Sequence, residues 1–262
     1  LNTLVFDIET VPDTAFGRRL YGLDGLSEPQ VAEVMFAKRR QETGADFLPH
    51  EQQRVVAISV AMRSRDTFKV WSLGDAESTE KQLIERFFDG LDKYTPELVS
   101  WNGSGFDLPV LHYRSLLHGV TAARYWETGE DDSSFRFSNY LSRFHWRHMD
   151  LMDILSGFQG RGRAALNSVA ALLGLPGKLG MDGSQVWPVF LEGGLERIRG
   201  YCETDVLNTY LVYLRFQLVR GRLNAAEHAA EVLRVRRMLA ESPASHWREF
   251  LAAWGDAEGS TA

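Results

Sequence analysis

The run Leu4-Val5-Phe6 most constrains how this chain can fold. It begins after Thr3, is apolar at successive positions and stops at Asp7-Ile8-Glu9-Thr10. A strand that is apolar on both sides has to be covered on both sides. Residues 3–8 are therefore expected at the centre of a sheet with helices on each face. Side chains two apart on a strand share a face, so Asp7 and Glu9 point the same way from its end. Neighbouring carboxylates repel unless protonated or bridged by cations, and oxygen ligands suit Mg²⁺ and Mn²⁺. An Asp-x-Glu is by itself more often a solvated surface pair; this one follows a run expected to be buried.

The rest of the pattern supplies the layers. Residues 54–62 and 67–71 read as strands joined by a tight hairpin at Ser64-Arg65-Asp66. Residues 78–93 carry Leu83, Ile84, Phe87, Phe88 and Leu91 at helical spacing, with Ser78 as the expected N-cap. A short strand over 96–101 runs into a helix over 106–118, with Pro109 in its first turn. Helices follow over 151–156 and 164–173, then a long one over 195–219, then two more over 225–240 and 245–254. The order predicts an α/β fold, a mixed sheet flanked by helices. An insertion after the first strand spans about 12–53 and holds a helix over about 28–42, opened by the capping box Ser27-Glu28-Pro29-Gln30. The expected organisation is a main domain over 1–219, a C-terminal helical extension over 220–254 and a disordered tail over 255–262.

Composition narrows the class of function. The 262 residues are 44% hydrophobic and 24% charged, which suits a globular chain with a substantial core. No apolar run approaches the roughly 20 residues that span a bilayer, and the first residues show no signal peptide. Cys202 is the only cysteine, which excludes an intramolecular disulfide and favours a reducing, cytoplasmic setting. The net charge of −6 argues against wrapping a duplex by charge alone. Bound divalent cations would offset a local carboxylate cluster. Lysine accounts for only five of the 29 basic residues; the arginine excess suits phosphate recognition, and a GC-rich genome would equally produce it.

Two further segments carry acids in suggestive places. Asn102-Gly103-Ser104-Gly105-Phe106-Asp107 follows a strand and opens a helix. Its Asp107 is either a functional acid or an ordinary helix-start acid. Tyr201-Cys202-Glu203-Thr204-Asp205 lies in the long helix, so Tyr201 and Asp205, four apart, share a face. A phenol there can orient a water, or accept its proton if the local field lowers its pKa. Taken singly, each segment has a structural explanation. Taken together, three motifs in this order on strand, helix start and helix do not suit chance.

At these residues the chain resembles the DEDD superfamily of 3′-5′ exonucleases, tyrosine subtype. Asp7-Ile8-Glu9-Thr10, Asn102…Phe106-Asp107 and Tyr201…Asp205 look most like the proofreading exonuclease of family-B DNA polymerases, and like stand-alone PolB-like predicted exonucleases of bacteria. The resemblance runs over about 3–219 and implies an RNase H-like fold. It implies two divalent cations, Mg²⁺ or Mn²⁺. Asp7 would bridge both, Glu9 and Asp205 would complete one site, and Asp107 would support the other. Tyr201 would position the attacking water, while Ile8, Thr10, Asn102 and Phe106 would contact substrate. The implied partner is single-stranded nucleic acid with a free 3′ end, DNA ahead of RNA, with no membrane. The rival expectations are an exoribonuclease and a non-catalytic 3′-end-binding module.

Weaker signals remain. Residues 135–148 interleave aromatics with arginine and histidine, as single-strand binders do, although packing of an irregular β segment explains them slightly better. His145 and His148 are expected to be structural and Asp150 to support the site indirectly. Arg161 and Arg163 lie in a loop that can reach phosphate; Lys178 reads either as a phosphate contact or, more simply, as a solvated surface lysine.

Overall fold

The computed structural model describes residues 2–255. Five strands form one sheet: β1 (Thr3–Pro12), β2 (Gln53–Ser64), β3 (Thr67–Ser72), β4 (Glu97–Ser100) and β5 (His148–Asp150). Their order is β3-β2-β1-β4-β5, so the apolar first strand is central, as its two-sided hydrophobicity requires. β2 runs antiparallel to β1 and β3, whereas β4 and β5 run parallel to β1. A mixed sheet flanked by helices is the α/β architecture that the element order predicts. β1 continues four residues beyond the expected end at Ile8, with a register irregularity between Glu9 and Thr10. The hairpin turn is Arg65-Asp66, with Arg65 in the left-handed region at φ 43°.

The helices are α1 (Thr14–Tyr21), α2 (Glu28–Thr43), α3 (Glu80–Tyr94), α4 (Asp107–His118), α5 (Ala123–Trp126), α6 (Leu151–Leu155), α7 (Leu166–Leu172), α8 (Val186–Leu191), α9 (Leu195–Val219), α10 (Ala225–Glu241) and α11 (Ser245–Trp254). Leu4, Phe6 and Ile8 pack on one face of the sheet with Ile84, Phe87, Leu91, Leu108 and Leu111 of α3 and α4. Val5 packs on the other face with Val206, Leu207 and Tyr210 of α9. Val11 lies among Ile198, Tyr201 and Cys202. The alternation puts Asp7 and Glu9 on the α9 face, between Val5 and Val11. Val235, Leu239, Trp247 and Phe250 of α10 and α11 are buried in the α9 cluster, so these helices share its core.

Some local expectations change. The N-cap of α3 is Thr79, whose hydroxyl accepts from Gln82 N while Gln82 Oε1 accepts from Thr79 N. Ser78 is engaged instead with Asp75. The insertion helix α2 begins as predicted: Gln30 Oε1 accepts the Ser27 N–H at 2.8 Å, and Val31 and Met35 are buried. Helices α1, α5 and α8 and strand β5 are additional, each shorter than the window over which hydrophobic periodicity becomes readable. Of the tail expected to be disordered, all beyond Gly255 lies outside the described residues. No helix among the described residues is long and apolar enough to cross a membrane.

Candidate active site

Three elements converge on the α9 face of β1. The strand brings Asp7 and Glu9, the start of α4 brings Asp107, and the middle of α9 brings Tyr201, Cys202 and Asp205. Asp107 is held in place by the Ile8 N–H, which donates to its Oδ1 at 3.1 Å. Glu9, Asp107 and Asp205 are buried, and Asp7 keeps partial exposure. The Asp205 Oδ1 is buried with no hydrogen-bond partner among the described residues.

Packing four acids together destabilises their charged forms. Burial pushes Asp7 well above the usual carboxylate range, and Asp107, Glu9 and Asp205 add to it by repulsion. Glu9 is raised by burial and by Asp205, against an opposing effect of Lys178. Burial lifts Asp107 to about 7, although N–H groups including that of Ile8 hold it down. Burial lifts Asp205 to about 6, opposed by Lys178 and by the Tyr201 hydroxyl. The Tyr201 phenol is pushed upward by burial and then by Asp205, Glu9 and Asp7, so near neutral pH it is a hydroxyl donor. The field therefore acts opposite to the lowering that a tyrosine base needs.

Cys202 and Lys178 also reach this site, neither of them placed against the acids by the sequence. Cys202 Sγ lies 3.4 Å from the Asp7 carbonyl and 3.7 Å from Asp7 Oδ2, and its donor atom groups closely with those of Asp7 and Glu9. Burial and the adjacent carboxylates push the thiol up, and its Sγ is placed to donate to Asp7. Lys178, expected to be solvated, stands instead with Nζ 5.4 Å from the Tyr201 ring centroid and eases the charge on Glu9 and Asp205. Asn208, less than one turn after Asp205, brings it there by bonding both N–H and C=O of Gly177 at 3.2 and 2.9 Å. Gly177 adopts φ +64°, a conformation that favours glycine.

The loop before Asp107 is equally determined. Asp150 Oδ1 accepts from Asn102 N and its Oδ2 from Ser104 N, both at 2.9 Å, while Oδ1 also caps α6. Asn102 takes a left-handed φ of 65°, which asparagine tolerates. A Cβ on Gly103 would collide with the Ser100 side chain, so only glycine fits. Asp150 thus supports Asp107 through this loop.

The remaining candidates are distributed as follows. Ile8 turns its side chain into the core and gives its N–H to Asp107. Thr10 is half-buried and donates to Gln53 Oε1 at 2.8 Å. Asn102 and Phe106 are half-buried in the loop that leads into Asp107. His148 bonds to Ser100 Oγ at 2.8 Å and His145 accepts from Asn139 N at 3.1 Å, so both histidines are structural. In the 135–148 segment Phe135 and Tyr140 are buried, whereas Phe137, Phe144 and Trp146 are exposed. Arg163 pairs with Asp153 at 2.6 Å, and Arg161 is exposed.

The model of predicted 3′-5′ exonucleases related to the exonuclease domain of PolB matches residues 45–254. The chain belongs to this family. The match takes in Asp107, Tyr201 and Asp205 and begins after Asp7 and Glu9; it also includes α10 and α11, beyond the span 3–219 expected from the motifs. The chain is 25% identical over 165 residues to a DNA polymerase of Archaeoglobus fulgidus, covering 62% of this chain and 20% of that protein. It is 24% identical over 149 residues to the catalytic subunit of DNA polymerase epsilon from Saccharomyces cerevisiae, covering 53% of this chain and 6% of that protein. The chain therefore spans only a minor part of these relatives. The solved family B DNA polymerase of Pyrobaculum calidifontis aligns over 92% of this chain and 28% of that one, at 21% identity and TM-score 0.49.

Proposed function

We propose that this chain is a divalent-cation-dependent 3′-5′ exonuclease that releases nucleoside monophosphates from single-stranded nucleic acid, DNA in preference to RNA. One observation carries the reading: acids from β1, α4 and α9 meet at one largely buried site, where Lys178 eases Glu9 and Asp205 but not Asp7 or Asp107. The donor set fits the implied metals. It is made of hard oxygen atoms, their charged forms are disfavoured, and the Asp205 Oδ1 lacks a partner among the described residues. Asp7, Glu9, Asp107 and Asp205 would hold two Mg²⁺ or Mn²⁺ ions. Such ions lower the pKa of water and stabilise the leaving oxygen in phosphodiester hydrolysis.

The chain's own residues supply the rest. Asp107 is fixed by Ile8 N–H, and that rigidity keeps the carboxylates preorganised. Tyr201, on the same face of α9 as Asp205, would orient the attacking water through its hydroxyl. Cys202 donates to Asp7 and fixes its side chain. Thr10, Asn102 and Phe106 flank the acids as substrate contacts, and Ile8 acts through its backbone. The DNA preference draws on relatives that are named DNA polymerases.

The test is digestion of matched DNA and RNA oligonucleotides labelled at the 5′ end, with Mg²⁺, Mn²⁺ or chelator. Stepwise shortening from the 3′ end, faster for DNA and absent in chelator, is the expected result. Faster loss of RNA would reassign the substrate, and no shortening of either would overturn the activity.

A further inference from the structure

The insertion between β1 and β2 ends in a segment tied to both sides of the acid set. Leu48 is buried with Val31 and Met35 of α2 and anchors the segment to the insertion's own small core. Phe47, one residue earlier, is left 62% exposed. Its position is nevertheless constrained. Arg39 Nε donates to the Phe47 carbonyl at 2.9 Å. Gln53 Nε2 donates to the Leu48 carbonyl at 3.0 Å, and Gln53 Oε1 accepts the Thr10 hydroxyl at 2.8 Å. His50 Nε2 bonds to the Gly105 carbonyl at 3.0 Å, two residues before Asp107. One side of the segment is thus fastened to the strand carrying Asp7 and Glu9, and the other to the loop carrying Asp107.

This wiring brings together two phenylalanines, one of which, Phe106, immediately precedes Asp107. The Phe47 and Phe106 rings lie 5.2 Å apart at 54°, and the His50 ring lies 5.9 Å from Phe106. Exposing a phenylalanine forgoes the stabilisation that burial would give. Leu48 already performs the anchoring, so packing of the insertion does not account for Phe47. We propose that Phe47, with Phe106, forms an aromatic mouth that stacks on the base of the 3′-terminal nucleotide. Every base presents a π-face, so such a mouth tolerates any sequence. A base still stacked in a duplex must first be unstacked to enter it, which favours unpaired ends. The proposal rests on the exonuclease reading and deepens it, by naming the part of the substrate that the insertion recognises.

The test is read by binding in chelator, independently of hydrolysis. The probe is a single-stranded DNA oligonucleotide with 2-aminopurine as its 3′-terminal base, compared with the same strand ending in an abasic nucleotide. Wild-type protein is expected to quench the 2-aminopurine emission and to bind the base-ended strand more tightly. Phe47→Ala should weaken binding of the base-ended strand by about 5- to 150-fold, the range for losing one base–aromatic stack, and leave the abasic-ended strand unchanged. Phe47→Trp should restore the preference. The ring is exposed, so Phe47→Ala should melt with the wild type, and that melting curve separates loss of stacking from loss of fold. Equal binding of base-ended and abasic ends by wild-type protein, or binding of neither, overturns the proposal. So does an equal loss for both ends in Phe47→Ala. Base-selective binding without cleavage on adding Mn²⁺ would keep the mouth and refute the nuclease. Cleavage with an unaffected Phe47→Ala would refute the mouth alone.

Discussion

Helix α4 takes part in two buried acid clusters, and they are opposite in kind. Near its C-terminal end, Arg114 donates to Asp13 Oδ2 at 2.5 Å and to both oxygens of Glu80 at 2.5 and 2.7 Å. Glu80 also accepts from Val55 N, and its Oε2 meets His118 at 2.8 Å. Asp13 Oδ1 caps α1 by accepting from Phe16 N at 2.9 Å. Each of these carboxylate oxygens has a partner within the chain, and the cluster fastens the insertion, α3 and α4 to one another. At its first residue, α4 contributes Asp107 to a set in which the carboxylates face each other and Asp205 Oδ1 has no partner among the described residues. Buried acids whose countercharge is built in are fasteners. Buried acids without it are disfavoured in their charged form and suited to receive cations.

The contrast is broken most sharply at Asp7. Asp7→Ala should lower hydrolysis by more than about 10³-fold in a folded protein, because on the proposed reading Asp7 would help hold the cations. Adding Asp205→Ala should cost little more, since residues acting as a unit are non-additive. Steady-state rates of both variants, with circular dichroism to confirm folding, check this; near wild-type turnover in folded Asp7→Ala would refute the role.

Arg114→Leu attacks the other cluster. It strands Asp13 and Glu80 without their cation and should destabilise the fold by roughly 3–5 kcal/mol. Asp7→Asn in chelator should do the reverse and raise stability, because it removes a repelled charge. Urea denaturation of the two variants compares them directly. Destabilisation by both would show that the two clusters are equivalent.

A smaller effect belongs to Tyr201→Phe, which keeps the ring and deletes the hydroxyl. General acid–base and orienting groups contribute about 10² to 10⁴ in rate, and the low end is expected where cations already activate water. Single-turnover rate should fall while single-strand binding holds. Wild-type cleavage across neutral to alkaline pH would make Tyr201 a packing residue.

The central features are legible in the sequence because they are local and periodic. The apolar run before Asp7 requires a central strand, and the spacing of Tyr201 and Asp205 puts both on one helix face. The capping box of α2 is readable for the same reason. What escapes depends on contacts distant in sequence. Lys178 reaches Tyr201 because Asn208 grips Gly177, 31 residues away; the sequence offers Lys178 as a possible phosphate contact but does not place it beside Tyr201. As a lone cysteine, Cys202 reads only as a redox marker, yet its place between Tyr201 and Asp205 turns it toward Asp7 once α9 packs on β1. Strand β5 is three residues long and exists through pairing with β4. The role of Asp150 follows from that pairing, which brings its carboxylate to Asn102 and Ser104.

The acid set is tested most directly by titrating Mn²⁺ into metal-free protein by calorimetry, with thermal melting in parallel. Two ions per chain and a rise in Tm are expected for the wild type, because ions that bind only the folded state stabilise it by mass action. Both effects should disappear in Asp7→Asn. An equal stoichiometry and an equal rise in the two proteins would put the cations elsewhere and contradict the assignment of these four carboxylates.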